Sequence, residues 1–329
     1  MSAATGIGSM PGTTDRAYAE AVRLLLGELP DLPHVPELPG RGVWAAMTGR
    51  GLAVLDGLAV DLQPAGWRLT DVSGVDHRRA RSLLAQDLDT VEELAQDHGG
   101  AFKTQVVGPW TLAATVEKPR GDKVLSDHGA RRELAQALAE GVRLHLADLQ
   151  RRVRGVDRWI VQVDEPALAA VVDGRVPTAS GYGRHRSVDL PEASAHLEWV
   201  AAAITEAGGE AWVHSCAPRT PWSLVAGAGV QGLSADLDVL GPGDLDTFAE
   251  VLEAGRTAVL GVVPSTDPAA DPSDARVTER VQRWLDMLGL DPEVVGEALV
   301  VSPTCGLAGA TPQWAKRAVR LTATVARNL

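Results

Sequence analysis

The sequence predicts a (β/α)8 TIM barrel, and three observations lead to that fold class. Short apolar or β-branched segments alternate with longer segments of helical periodicity along the chain. Eight such alternations within 329 residues suit a closed barrel better than an open sheet. Hydrophobic residues make up 45% of the chain, enough to build one sizeable core. We therefore expect a single barrel domain over residues 1–329.

Eight segments are predicted as the strands of the barrel. They are Thr5–Ser9, Pro33–Glu37, Thr104–Gly108, Trp159–Asp164, Ala211–Cys216, Gly232–Asp236, Ala258–Val263 and Leu299–Pro303. Prolines flank and interrupt the second segment, and proline cannot donate a hydrogen bond to a strand ladder.

Helices are predicted between these strands, where apolar residues recur at three- and four-residue spacing. They are Asp15–Leu29, Arg131–Val153, Pro191–Ala207, Asp244–Ala254, Asp274–Leu288 and Pro312–Ala326. The alternation breaks from about residue 51 to residue 100, where two helical segments enclose a hairpin of Leu58–Leu62 and Gly66–Asp71. We interpret this region as an insertion between the second and third strands.

Composition and charge exclude several classes of function. The formal net charge is −12, and an acidic protein repels phosphate backbones, so no nucleic acid partner is expected. No apolar stretch approaches 18 residues, and the first residues lack the pattern of a signal peptide, so we expect no membrane span and a cytoplasmic location. In that compartment, Cys216 and Cys305 are expected as thiols or metal ligands and not as a structural disulfide.

The residues that could carry chemistry follow from the fold, because catalytic groups of these barrels lie where strands end and loops begin. The polar residues at predicted strand ends are Ser9, Glu37, Asp164 with Glu165, His214 with Cys216, Asp236, and Cys305.

A metal site is the first prediction from this set. His214 and Cys216 are two apart on one strand, so their side chains face the same side, and Cys305 follows the last strand. One histidine, two cysteines and a carboxylate form a tetrahedral zinc set, with Asp236 as the carboxylate and Asp238 as the alternative. The competing interpretation is two buried thiols beside a histidine of the core.

Five motifs, taken together in this order, resemble a known family. They are IGSMP (Ile7–Pro11), GPWTLA (Gly108–Ala113), QVDEPAL (Gln162–Leu168), HSC (His214–Cys216) and SPTCGL (Ser302–Leu307). They are similar to the C-terminal catalytic barrel of cobalamin-independent methionine synthase, in a superfamily that includes uroporphyrinogen decarboxylase. The resemblance covers nearly the whole chain.

The resemblance implies a zinc-dependent methyltransferase that methylates a thiol. The expected thiol is homocysteine, and the product is then methionine. It implies zinc ligands at His214, Cys216 and Cys305, with Asp236 where the family has a glutamate. It implies homocysteine contacts at Asp164, Ser9 and Glu37, with Asp164 as the catalytic residue; the adjacent Glu165 completes the predicted substrate-binding set.

One departure from the family concerns the methyl donor. The family places a proton-donating histidine after the seventh strand, whereas this chain reads GVVPSTDP there, over Gly261–Pro268. A folate, a methylcorrinoid protein and a small methylated metabolite all remain candidate donors. Two alternative functions remain as well, a lyase similar to uroporphyrinogen decarboxylase and a non-catalytic barrel that binds zinc or thiols.

Overall fold

Seven parallel strands form the central sheet of the computed structural model, which describes residues 2–291 and 295–329. The strands, with the two of a separate hairpin, are β1 Ala3–Ala4, β2 Ala59–Gln63, β3 Gly66–Thr70, β4 Gly100–Val107, β5 Val156–Asp164, β6 Gly209–Ser215, β7 Gly232–Asp236, β8 Thr257–Val263 and β9 Leu299–Pro303. The order across the sheet is β1-β9-β8-β7-β6-β5-β4, so neighbours in the chain are neighbours in space and β1 pairs with the last strand.

The segment 33–37 joins the two edges of this curled sheet. On one side Val35 N–H donates to the Lys103 carbonyl of β4 at 2.9 Å, and on the other Glu37 N–H donates to the Gly8 carbonyl at 3.1 Å. The predicted second strand is thus present only as two isolated bridges, because Pro33 and Pro36 have no N–H to extend a ladder. The predicted barrel fold is confirmed, with this segment in the place of its eighth strand.

Helices follow the strands and cover the outside of the sheet. They are α1 Asp15–Glu28, α2 Met47–Val54, α3 Val75–Leu94, α4 Pro109–Thr115, α5 His128–Arg152, α6 Leu168–Val172, α7 Leu190–Glu206, α8 Trp222–Gly227, α9 Pro242–Glu253, α10 Asp274–Leu288 and α11 Pro312–Arg327. Several begin at a side chain that accepts a hydrogen bond from the first turn, as Thr14 does in α1 and Thr311 does in α11. Within the described ranges, no helix has the length and apolar character to cross a membrane.

The predicted insertion is present and lies between the second and third strand positions of the barrel. It consists of α2, the antiparallel hairpin β2–β3 and α3. Helix α2 lies against β4 so closely that a Cβ added at Gly51 would be 2.0 Å from Val107 Cγ1.

A small apolar cluster fills the barrel interior at the end that lies away from the carboxyl ends of the strands. Its members are Leu32, Ile160, Trp212, Val259 and Val300. The Trp212 ring occupies the space beside Gly232, where an added Cβ would lie 2.5 Å from Trp212 Cδ1. Because this end is filled with side chains, the open end lies at the carboxyl ends of the strands, where the polar residues predicted as a site are found.

Candidate active site

A histidine and two cysteines come together at the carboxyl ends of β6 and β9. The ligand atoms of His214, Cys216 and Cys305 all lie within 4.8 Å of one another. The two Sγ atoms are 2.7 Å apart, and both cysteines are free. Ser215, between His214 and Cys216, points to the other face and pairs with Thr220 at 2.8 Å, as strand alternation requires.

The His214 ring is held in one orientation by Ser234 of β7. Its Nδ1 lies 3.0 Å from the Ser234 hydroxyl, and both side chains are buried. Its Nε2 is buried and has no hydrogen-bond partner among the described residues. A buried nitrogen without a partner is costly. One imidazole nitrogen beside two thiols is a donor set that suits zinc, so these residues fit the predicted metal.

The two thiols are hydrogen-bonded to each other. The hydrogen bond from Cys216 lowers the pKa of Cys305, with further help from His214 and the Gly306 N–H, against the effect of burial. The same hydrogen bond, together with burial, raises the pKa of Cys216. A thiol whose pKa is lowered in this way favours a cation at this point.

A cavity of about 220 Å³ opens directly onto the cysteines. Six of the residues predicted from the sequence line it: Ser9, Glu37, Asp164, His214, Cys216 and Cys305. Met47 and Pro166 add apolar wall. A larger groove of about 630 Å³, between Leu237 and Met287, contains none of these six residues. The chemistry-bearing side chains thus converge on the smaller cavity.

Two buried carboxylates face this cavity. Asp164 is 8% exposed, and its Oδ1 accepts a hydrogen bond from Gln162 Nε2 at 2.7 Å. Burial, together with the charge of Glu37, raises the pKa of Asp164 to about 7, against the lowering effects of His214, the Gln162 hydrogen bond and Lys103. Glu37 is 7% exposed and pairs with Arg50 Nε at 3.3 Å. Carboxylates enclosed in this way attract a cationic group that replaces the lost water.

Ser9 lines the same cavity as the carboxylates and the cysteines. Its carbonyl accepts a hydrogen bond from Leu307 N–H at 2.7 Å, which ties the loop after β1 to the loop that carries Cys305. A Cβ added at Gly306 would lie 2.1 Å from the Ser9 hydroxyl oxygen, so glycine at that position permits the close approach.

The structure places Glu165 away from the cavity, which does not support its predicted role in substrate binding. Glu165 is fully buried, and its carboxylate accepts hydrogen bonds from Trp110 N–H, Thr111 N–H and the Thr111 hydroxyl at 2.6–2.8 Å. It therefore caps the first turn of α4, because the first N–H groups of a helix have no partner within the helix.

The structure also does not bring the predicted fourth ligand into the cluster. The group of converging ligand atoms contains no carboxylate, and Asp236 Oδ1 instead accepts a hydrogen bond from Asp238 N–H at 2.9 Å. The alternative, Asp238, pairs with Arg280 of α10. The Asp236 side chain thus turns back onto its own loop.

Four buried residues around the site escaped the sequence analysis, namely Lys103, Gln162, Ser234 and Arg50. Strand alternation could have indicated Ser234, which lies two residues before Asp236 and so faces the same way. A lysine inside the apolar strand β4 was a further indication, because lysine is almost never fully buried without a partner.

Most of the chain matches a known protein family. The family model described as "Cobalamin-independent synthase, Catalytic domain" matches residues 91–328, well over half of the chain. No curated protein is similar enough to count as a relative.

Two solved structures share the fold over almost the whole chain. A B12-independent methionine synthase from Shewanella sp. W3-18-1, in complex with selenomethionine, is 15% identical with a TM-score of 0.63, covering 99% of this chain and 96% of its own. A methyltransferase from Methanosarcina mazei is 13% identical with a TM-score of 0.59, covering 99% and 93%. With the family match, these findings lead to one conclusion: the chain belongs to the family of cobalamin-independent synthase catalytic domains and is a methyltransferase.

Proposed function

We propose that this methyltransferase transfers a methyl group to the thiol of homocysteine and holds a zinc ion with His214, Cys216 and Cys305. The convergence of these three side chains on one cavity carries the proposal, together with the unpartnered Nε2 of His214. Three protein ligands with one position left for substrate is the pattern of catalytic zinc sites. We therefore assign no ligand role to Asp236.

The chemistry that zinc would supply is an available nucleophile, because coordination deprotonates a thiol that is mostly protonated at neutral pH. The protein's own part is to orient the acceptor. Ser234 holds the His214 ring, and the neighbouring cavity wall places an entering thiol beside the two cysteines.

The amino-acid end of the acceptor is expected to bind at the two carboxylates that line the same cavity. Asp164 and Glu37 would bind the ammonium group of homocysteine, since each carboxylate faces the cavity and is largely removed from water. The loop at Ser9 would contact the carboxylate end. The selenomethionine bound to the Shewanella synthase supports an amino-acid ligand of this size and polarity.

The loop after β8, in which the family is expected to carry the histidine that donates a proton on the methyl-donor side, makes structural hydrogen bonds in this chain. Asp267 accepts a hydrogen bond from Thr311 N–H at 2.8 Å and another from the Thr311 hydroxyl, so it stabilises the start of α11. These bonds keep the pKa of Asp267 below its ordinary value. A carboxyl group that is ionised at neutral pH cannot serve as a proton donor to the leaving group, so we do not assign that role to Asp267.

The test is turnover by the zinc-loaded protein with homocysteine and an isotopically labelled methyl donor. Methyltetrahydrofolate, methylcobalamin and S-methylmethionine represent the three candidate donor classes and are offered in parallel. We expect labelled methionine from one of them, detected by mass spectrometry, and none from a Cys305→Ser variant. Homocysteine binding without methionine from any donor would contradict the proposal and favour a non-catalytic thiol-binding barrel.

A further inference from the structure

A lysine lies beneath the cavity, fully enclosed within the barrel. Lys103 of β4 has no exposed surface, and its Nζ donates to the Ile7 carbonyl at 2.9 Å and to Gln162 Oε1 at 3.0 Å. It does not line the cavity, so it cannot touch a ligand there. Burying an ammonium group is costly unless the charge is paired and hydrogen-bonded.

The lysine fixes the orientation of the Gln162 amide. An ammonium group has only donors, so the oxygen of the amide must face Lys103 and the NH₂ group must face away. That NH₂ group donates to Asp164 Oδ1 at 2.7 Å and to the Ile7 carbonyl at 2.9 Å. The lysine and these two acceptors together hold the amide in one orientation, and removal of the lysine leaves the Gln162 oxygen without its donor.

Two parts of the acceptor site depend on this arrangement. Gln162 supplies the sole hydrogen bond to the Asp164 carboxylate within the described residues, so Oδ1 is held while Oδ2 is left for a ligand in the cavity. The Ile7 carbonyl receives two donors, which fixes the chain just before Gly8 and Ser9 in the cavity wall.

We propose that Lys103 and Gln162 are positioning residues that make the site selective for thiols bearing an ammonium group. They act through Asp164, whose orientation they set, and through the Ile7 carbonyl. The inference rests on the proposed function, because it concerns how the acceptor is chosen at the same site.

The experiment compares two thiols that differ only in the ammonium group. Binding of homocysteine and of 4-mercaptobutyrate, which lacks the amino group, is measured by calorimetry on the zinc-loaded parent and on two variants. Lys103→Met removes the cation at similar length. Gln162→Glu keeps an acceptor for Lys103, and therefore the fold, but replaces the donor to Asp164 with an oxygen.

We expect both variants to bind homocysteine at least about tenfold more weakly, the loss typical of a misplaced charge-assisted hydrogen bond, with little change for 4-mercaptobutyrate. The control is Thr104→Val, which alters a buried residue of β4 that faces the other side of the sheet and should leave both affinities unchanged.

Two outcomes would overturn the inference alone. One is an undiminished preference for homocysteine in both variants. The other is a parallel loss for both thiols, which would indicate a purely structural role for the pair. A parent protein with no preference between the two thiols would instead contradict the acceptor assignment itself, and the inference would fall with it.

Discussion

At the scale of single residues, the Ser234 hydroxyl decides which nitrogen of His214 faces the thiols. The hydroxyl is 3.0 Å from Nδ1, whereas Nε2 has no hydrogen-bond partner in the part of the chain that the structure describes. A metal-binding histidine usually has its second nitrogen held in this way, and the outer partner raises the affinity of the site.

Replacing Ser234 with alanine should therefore weaken zinc binding while leaving the fold intact. We expect a loss of roughly 10- to 100-fold in affinity, as for other outer-shell partners of metal ligands. Competition with a chromophoric chelator measures it. Thr322→Val, which removes a buried hydroxyl bonded within α11, is the control and should bind zinc as the parent does. Equal affinity in Ser234→Ala would show that Ser234 does not orient the ligand.

How far the site could be predicted differs from residue to residue. Strand alternation and strand ends were enough to bring His214, Cys216 and Cys305 together, since backbone geometry sets where those side chains point. The roles expected of Asp236 and Glu165 were not supported, because an aspartate or glutamate after a strand end can turn to nearby N–H groups instead. The direction in which such a side chain turns depends on the groups that surround it in the folded structure. The spacing of residues in the sequence does not specify those groups.

At the scale of elements, the insertion is attached to the barrel by a buried ionic cluster. Asp87 of α3 is 1% exposed and accepts from Arg50 of α2 at 2.6 Å and from Arg41 at 2.7 Å. Arg50 also contacts Glu37 in the cavity wall. The insertion thus contacts the acceptor site through Arg50 as well as through Met47, which lines the cavity, and the position of α3 affects the position of a site carboxylate.

Asp87→Asn should be strongly destabilising, because it removes the counter-charge that two buried guanidinium groups share and leaves them only the longer contacts of Arg50 with Glu37 and of Arg41 with Asp15. We expect a loss of about 3–5 kcal/mol in the free energy of unfolding, measured by denaturant titration. Asp89 lies two residues further along α3 and pairs with Arg152 at the surface, so Asp89→Asn should cost no more than about 1 kcal/mol. Similar losses in the two variants would show that the cluster does not hold the insertion in place.

The start of α4 offers a second test at this scale. Glu165→Gln replaces one acceptor oxygen with an NH₂ group that faces N–H donors, so one of the three hydrogen bonds is lost if the NH₂ group takes the place of Oε1, and two are disturbed if it takes the place of Oε2. We expect a loss of about 1–3 kcal/mol in unfolding free energy, the cost of unsatisfied buried groups. Homocysteine affinity should stay within about threefold of the parent value if the loss is purely one of the helix cap. A large loss of affinity with unchanged stability would restore Glu165 as a substrate-binding residue.

At the scale of the whole molecule, the closure of the barrel was the part of the fold hardest to predict. Strands β7 and β9 begin and end at the residues predicted, because their apolar segments are bounded by clear turn residues. Segment 33–37 closes the barrel with isolated bridges and prolines, so its role follows from the edges that it joins and not from its own sequence.

Closure also depends on the contact between Gly6 and the buried His34 ring. A Cβ added at Gly6 would lie 2.2 Å from His34 Cε1, so Gly6→Ala should cost about 1–3 kcal/mol by overpacking. Gly27, in α1, has open space where a Cβ would be added. Gly27→Ala should therefore raise the free energy of unfolding by up to about 1 kcal/mol through helix propensity. Thermal and denaturant unfolding measure both. A neutral Gly6→Ala variant would show that segment 33–37 is free to move away from the barrel.

The proposed methyl transfer depends on a zinc site formed by His214, Cys216 and Cys305. Elemental analysis of the purified protein and of Cys305→Ser, prepared identically under reducing conditions, tests it most directly. We expect close to one zinc per chain in the parent and a sharp loss in the variant, since a structure with two of three ligands binds the metal poorly. A parent that holds no zinc, and takes up none when zinc is supplied, would contradict thiol activation at this site.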